Sequence, residues 1–184
     1  MPSRLKRFQN SGQIHFVTFC GYHRRRLFAK EANRRLFEQA LERVRRTWRL
    51  RIFGYVVMPE HVHLLVDEPE RDTLADALKS LKQGVARRLI GQAEHFWQKR
   101  YYDVNVLTGA KFVEKLRYIH RNPVKNGLCQ RPEDWKWSSF RHDATGCEGP
   151  AEIESEWTAR KRERTEGKIP PAVERRPQSR QSRA

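Results

Sequence analysis

Between Ile14 and Asn122, stretches with the two-residue period of a strand and the 3.6-residue period of a helix follow one another in an order that few folds accommodate. Ile14 to Cys20 (IHFVTFC) is rich in β-branched and aromatic residues and reads as a strand. From Glu31 to Trp48, the residues Phe37, Ala40, Leu41, Val44 and Trp48 recur at helical spacing. Leu50 to Met58 and His61 to Asp67 (HVHLLVD) read as two strands joined by a Pro59-Glu60 turn, hence a hairpin. Asp72 or Thr73 then caps a helix, with Asp76 placed three residues after Thr73 as in a capping box. Its apolar stripe is Leu74, Leu78, Leu81, Val85 and Leu89, and Gly91 ends it. A fourth strand is predicted around Val104 to Leu107, then a helix from Gly109 to Asn122, stopped by Pro123. The order βαββαβ is the ferredoxin-like, or split βαβ, pattern: an α+β fold with an antiparallel sheet, helices packed on one face and a further helix after the last strand. RNA-recognition domains share this sheet, so topology alone leaves the activity open.

Charge narrows the choice of partner. The 184 residues carry 38 Lys+Arg against 22 Asp+Glu, a formal net charge of +16. The first 147 hold 29 basic and 15 acidic side chains, net +14, whereas 148–184 hold 9 against 7. The predicted folded part therefore carries the positive field, which favours a polyanion, nucleic acid before an anionic membrane surface. The composition shift near Cys147 places a folded domain at 1–147 and a polar, proline-containing tail at 148–184, with a short helix near Glu152 to Arg164 and the remainder disordered. The length is too short for a (β/α)₈ barrel, which needs roughly 200–250 residues. Cys20, Cys129 and Cys147 lie far apart and form no C-x-x-C, as expected of thiols in a reducing cytosol. No signal peptide and no apolar run of membrane-spanning length is visible, so a soluble, cytoplasmic protein with no membrane partner is expected.

Two short constellations carry chemistry. His61 and His63 bracket Val62, and on a strand residues two apart point to the same face, where both imidazoles can reach one metal ion. A pair of half-exposed sheet histidines fits the same pattern, although a buried apolar strand has little reason to carry two imidazoles on one face unless something satisfies them. On the last predicted helix, Phe112, Val113, Leu116 and Ile119 share a face. Tyr118 lies about 200° from Leu116, off that stripe, and Asn122 follows it at i+4. A tyrosine beside an oxygen ligand suits a phenolate nucleophile; an ordinary surface tyrosine has the same spacing.

Four ordered blocks make the chain recognisable. MPEHVHLLV (Met58 to Val66), FWQKRYYD (Phe96 to Asp103), YIHRNPVKNGL (Tyr118 to Leu128) and DWKWSSF (Asp134 to Phe140) resemble the single-tyrosine HUH transposases, most closely those associated with REP elements. The resemblance spans roughly Ile14 to Arg141 and implies a DNA strand transferase acting on single strands with a hairpin, as a monomer or homodimer. It implies Mg²⁺ or Mn²⁺, held by His61 and His63 with Asn122 as third ligand, and Tyr118 as the nucleophile. The product implied is a 5′-phosphotyrosine with a free 3′-OH, which conserves the bond for rejoining.

Arg24, Arg25 and Arg26, with the arginines of the first helix, are candidates to track phosphates, and Tyr101, Tyr102 and Trp97 to stack unpaired bases. Trp135 and Trp137 read as packing residues. Two alternatives stay open: a non-catalytic nucleic-acid-binding module on the same sheet, and a zinc hydrolase completing its site with His120 or Asp67.

Overall fold

The computed structural model describes residues 12–70, 72–90 and 95–166. Four strands form one sheet: β1 (Ile14–Cys20), β2 (Ile52–Val57), β3 (His61–Asp67) and β4 (Tyr102–Val106). Their order is β2-β3-β1-β4, every neighbouring pair antiparallel. Helices α1 (Glu31–Trp48) and α2 (Leu74–Ile90) connect them in the split βαβ manner. The ferredoxin-like expectation holds. Gly91, expected to end α2, lies outside the described residues.

Strand alternation divides the core in two. Val17, Phe19, Val57, Val62, Leu64 and Val66 face α1 and α2 and pack with Phe37, Leu41, Leu78 and Leu81. Phe16, Val56, Met58 and Leu65 face the other way and pack with Ile119 and Trp135. That second face is covered by α3 (Gly109–Lys125), the helix after the last strand. The caps match the residues that make them. The Thr73 hydroxyl accepts from the Asp76 N–H at 3.2 Å and donates to its carboxylate, and the Thr108 hydroxyl accepts from the Lys111 N–H at 3.2 Å.

Three expectations need correction. Pro123 does not stop α3; it sits inside the last turn, and the helix runs to Lys125. A proline there forfeits one backbone bond, and the Asn122 carbonyl still accepts from the Asn126 N–H at 3.0 Å. Val113 is exposed rather than part of the apolar stripe, because Phe112, Leu116 and Ile119 already fill the contact with the sheet. The domain boundary after Cys147 falls inside the folded unit. Ala151 and Ile153 are buried with the α1/α2 core, the Glu154 N–H donates to the Ile52 carbonyl at 2.7 Å, and a helix α5 follows α4 (Phe140–Thr145) at Glu156–Thr165. The rest of the expected tail, 167–184, lies outside the described residues.

Candidate active site

The register of β1 against β3 sets His61 opposite Cys20 and His63 opposite Thr18, so both imidazoles emerge on the face that α3 covers. Both are buried, with ring centroids 4.7 Å apart and planes at 74°. Each ring has a partner on Nδ1: Thr18 Oγ1 at 2.7 Å from His63, and Glu60 Oε1 at 3.2 Å from His61. Burial lowers His63 to about 3, helped by the neighbouring His61 and Lys115. Burial lowers His61 as well, against the pull of Glu60. A neutral imidazole that donates from Nδ1 presents a lone pair on Nε2, the form in which histidine ligates metals.

The α3 helix brings the second constellation against the first. Gly54 on β2 allows close approach: a Cβ there would lie 2.6 Å from Leu116 Cδ1. Asn122 is buried, and its Nδ2 donates to His63 Nε2 at 3.2 Å while its Oδ1 accepts from Asn126 Nδ2 at 3.0 Å. Tyr118, one turn earlier, is 39% exposed and lies edge-on to His63 at 5.1 Å and to Phe16 at 5.8 Å between centroids. The Lys125 ammonium stands 5.6 Å from the centre of the Tyr118 ring, and that of Lys115 5.0 Å from Phe16. His61, His63, Tyr118 and Asn122, chosen from sequence, thus form one cluster.

The donor set fits a loosely held cation. Two imidazole nitrogens face one site, each imidazole backed by an oxygen partner. Asn122 can join them only through Oδ1, which here accepts from Asn126, since its Nδ2 toward His63 cannot ligate. No group of three His, Cys, Asp or Glu able to hold a metal occurs among the described residues. Substrate oxygens and water must complete such a site. The extra ligands of the zinc-hydrolase alternative are spent elsewhere: His120 Nε2 bonds Ser139 Oγ at 3.0 Å, and Asp67 pairs with Arg51 at 2.5 Å.

The other candidates divide. Arg24, Arg25 and Arg26 are exposed, and Arg24 reaches to 4.0 Å of Glu60, at the rim of the histidine pair. Tyr102 is 45% exposed on the cluster's face, edge-on to Phe16 at 6.3 Å. Tyr101 packs against the opposite core beside Lys82, so the two tyrosines cannot form one platform. Two arginines of α1 are not on a solvated face: Arg34 is buried over Trp135 and Trp137, at 4.9 and 4.1 Å, and Arg45 is paired with Glu42 at 2.7 Å. Trp135 is a packing residue, its indole N–H donating to the Val57 carbonyl at 3.2 Å. Sequence reasoning missed Thr18, Glu60, Phe16 and Lys125. Glu60 had a signal, being adjacent to His61; Thr18 and Phe16 had none without the strand register.

Comparison with known proteins follows the same chain segment. The sequence pattern of the family described as "Transposase IS200 like" matches residues 8–122. A REP-associated tyrosine transposase of Escherichia coli strain K12 is 26% identical over 143 residues, 77% of this chain and 84% of its own. A Haemophilus influenzae protein provisionally given the same name is 31% identical over 100 residues, 47% of this chain; the match spans 57% of that protein's length. The solved structure of a REP-associated tyrosine transposase bound to a REP hairpin superposes with a TM-score of 0.68 at 23% identity, covering 83% of this chain and 92% of that one. No described helix is long and apolar enough to cross a membrane.

Proposed function

The chain belongs to the IS200-like transposase family, and from that premise we propose that it is a metal-dependent single-stranded DNA transposase that cuts and rejoins strands through a phosphotyrosine on Tyr118. The resemblance to REP-associated tyrosine transposases is borne out by the family match and the relatives. The observation that carries the proposal is the position of Tyr118, edge-on at 5.1 Å to His63, whose Nε2 lies 3.2 Å from Asn122.

His61, His63 and Asn122 would hold Mg²⁺ or Mn²⁺. When bound, the cation supplies Lewis-acid polarisation of a non-bridging oxygen of the scissile phosphate. Tyr118 Oη attacks phosphorus; a P–O bond to tyrosine forms and the P–O3′ bond breaks. The phenolic proton passes to solvent, and the 3′ oxygen leaves and takes a proton from solvent to become a hydroxyl. The phosphate remains attached to the 5′ oxygen of the downstream nucleotide. A free 3′-OH can reverse the attack without external energy. The edges of Phe16 and His63 hold the tyrosine ring, and the Lys125 ammonium favours the developing phenolate. Arg24, Arg25, Arg26 and Tyr102 flank the cluster as contacts for the strand, and Tyr101 serves it from the opposite face. A hairpin beside the cleavage site is the structured part of the substrate, as the relative bound to a REP hairpin suggests.

The test uses the full chain and single-stranded oligonucleotides from the flanks of its own gene, each with a hairpin. Wild type is expected to form an SDS-resistant adduct in Mg²⁺ or Mn²⁺, mapped by mass spectrometry to the Tyr118 peptide. Tyr118→Phe, which keeps the ring, is expected to bind equally and form none. An adduct on Tyr101 or Tyr102 overturns the choice of nucleophile. Metal-dependent cleavage without an adduct indicates water as nucleophile, and binding without cleavage indicates a non-catalytic module.

A further inference from the structure

Outside this cluster, Lys82 is a half-buried cation with no carboxylate beside it among the described residues. Its ammonium lies 5.6–5.9 Å from the ring centres of Tyr101, Trp97 and Phe19, and its hydrogen-bond partner is the Gln98 carbonyl at 3.5 Å. No carboxylate pairs with it among the described residues. Burial pushes its pKa down, and among the described residues the rings and one long carbonyl contact are all that stand against that cost. An ammonium has three donors, and a structural lysine held this way would be better replaced by an apolar side chain.

Lys82 lines a groove of about 380 Å³ between α2 and residues 96–101. Lys79 and Lys99 are the other cations there, Trp97 and Tyr101 the ring systems with Leu78 beside them, and no Asp or Glu lines it among the described residues. The Trp97 indole N–H donates to the Lys82 carbonyl at 2.8 Å, which fixes the indole relative to the lysine. A floor of aromatic and aliphatic side chains under three ammonium groups suits a planar base with a phosphate attached. An apolar peptide would leave the cations unpaired, and the groove is too small to seat a duplex.

Its place in the fold links it to the cluster. Gly21 bridges to Trp97, and the Gln98 N–H donates to the Cys20 carbonyl at 2.9 Å. Cys20 is the registered partner of His61. From Gln98 across β1 to His61 is two strand spacings, about 10 Å. That spacing is between backbones, and the groove opens on the opposite face of the sheet, so a strand whose phosphate sits at the histidines would turn round this end of the sheet to reach the groove.

We propose that the groove between α2 and residues 96–101 is a subsite for one unpaired nucleotide flanking the cleaved bond, its base against Trp97 and Tyr101 and its phosphate on Lys82, Lys79 and Lys99. The subsite rests on the single-stranded DNA function proposed above, and the experiment separates the two. The probes are a hairpin oligonucleotide without flanks and the same hairpin with single-stranded flanks, carrying 5-iodouracil at one flank position at a time. Irradiation of the full chain is expected to crosslink one flank position to the peptide containing Trp97 or Tyr101. Lys82→Gln is expected to weaken binding of the flanked probe about tenfold, to lower the log–log salt slope by about 0.7, the value of one phosphate contact on a single strand, and to leave the bare hairpin unchanged. Its melting temperature is expected to stay level or rise, since a desolvated charge is removed, and Lys82→Arg is expected to recover most of the binding. Equal affinity of wild type and Lys82→Gln for the flanked probe, or crosslinks from every flank position only to other peptides, overturns the subsite. A crosslink in the groove without an adduct on Tyr118 retains the subsite and overturns the chemistry, whereas an adduct without the crosslink does the reverse.

Discussion

Thr18 Oγ1 and His63 Nδ1 lie 2.7 Å apart across a registered pair of neighbouring strands. His63 Nε2 faces Asn122 Nδ2, which can only donate, so Nε2 accepts and the ring proton sits on Nδ1. Thr18 therefore receives that proton and selects the tautomer whose Nε2 can ligate. Thr18→Val keeps the shape and removes the acceptor. Loss of such a partner costs about 10–100-fold in metal affinity. The Mn²⁺ concentration for half-maximal cleavage is expected to rise by that factor, with Thr18→Ser close to wild type. An unchanged metal titration in Thr18→Val would mean that His63 does not ligate through Nε2.

The element order was legible from local periodicity, which also set His61 with His63 on one strand face and Tyr118 with Asn122 on one helix face. That the two pairs belong to one site was implied by the resemblance to the single-tyrosine HUH transposases. What local pattern cannot supply is which residue faces which across the sheet. Thr18 and Phe16 sit next to His63 and Tyr118 only because β1 pairs with β3 in one register. Arg34 looked like solvated charge because a helical face is read by its own residues. Its burial depends on Trp135 and Trp137, about a hundred positions later. Ala151 and Ile153 escaped notice because two isolated apolar residues in a polar stretch give no periodic signal, yet both reach the core.

Ile153 supplies a measure of the true boundary. It is buried among the α1/α2 core residues, so Ile153→Ala is expected to destabilise by about 2–4 kcal/mol. A chain ending at 147 is expected to lose stability by at least as much relative to one ending at 166. Indistinguishable urea midpoints for the 147 and 166 chains would place the 151–166 segment outside the cooperative unit.

Glu38 makes stability fall with pH. Its carboxyl is buried against Tyr55, whose hydroxyl donates to it at 2.8 Å, and burial raises it from an ordinary 4.5 to about 7. Between those values the folded chain holds a proton that the unfolded chain has lost, so stability declines as pH rises through the window and stays reduced above it. The full difference amounts to about 3 kcal/mol. Glu38→Gln can still accept from Tyr55 and carries no charge. It is expected to be closest to wild type near pH 4.5 and clearly more stable at pH 8. Parallel stability curves for the two proteins between pH 5 and 8 would show that Glu38 is charged in the fold at no cost.

His120 and Ser139 tie α3 to the sheet. His120 Nε2 meets Ser139 Oγ at 3.0 Å, and the same oxygen accepts from the Tyr55 N–H at 3.0 Å. Ser139→Ala leaves both partners buried and unsatisfied, a loss of about 1–3 kcal/mol. Because Tyr118 and Asn122 ride on the same helix as His120, cleavage is expected to fall more than hairpin binding does. Equal losses in both, tracking the fraction unfolded, would assign the pair to stability alone.

The paired histidines allow a test by non-additivity. His61 and His63 stand 4.7 Å apart, and each alone is too poor a donor set to hold a weakly bound cation. His61→Ala or His63→Ala is expected to abolish metal-dependent cleavage, while exposed cations such as Arg24, Arg25 and Arg26 still bind the hairpin with wild-type salt dependence. Once one ligand is gone the other has nothing left to contribute, so the double substitution is expected to cost little more than either single one. Independent roles would instead multiply. If both single variants retain partial cleavage and the double variant loses the product of the two factors, the histidines do not share an ion.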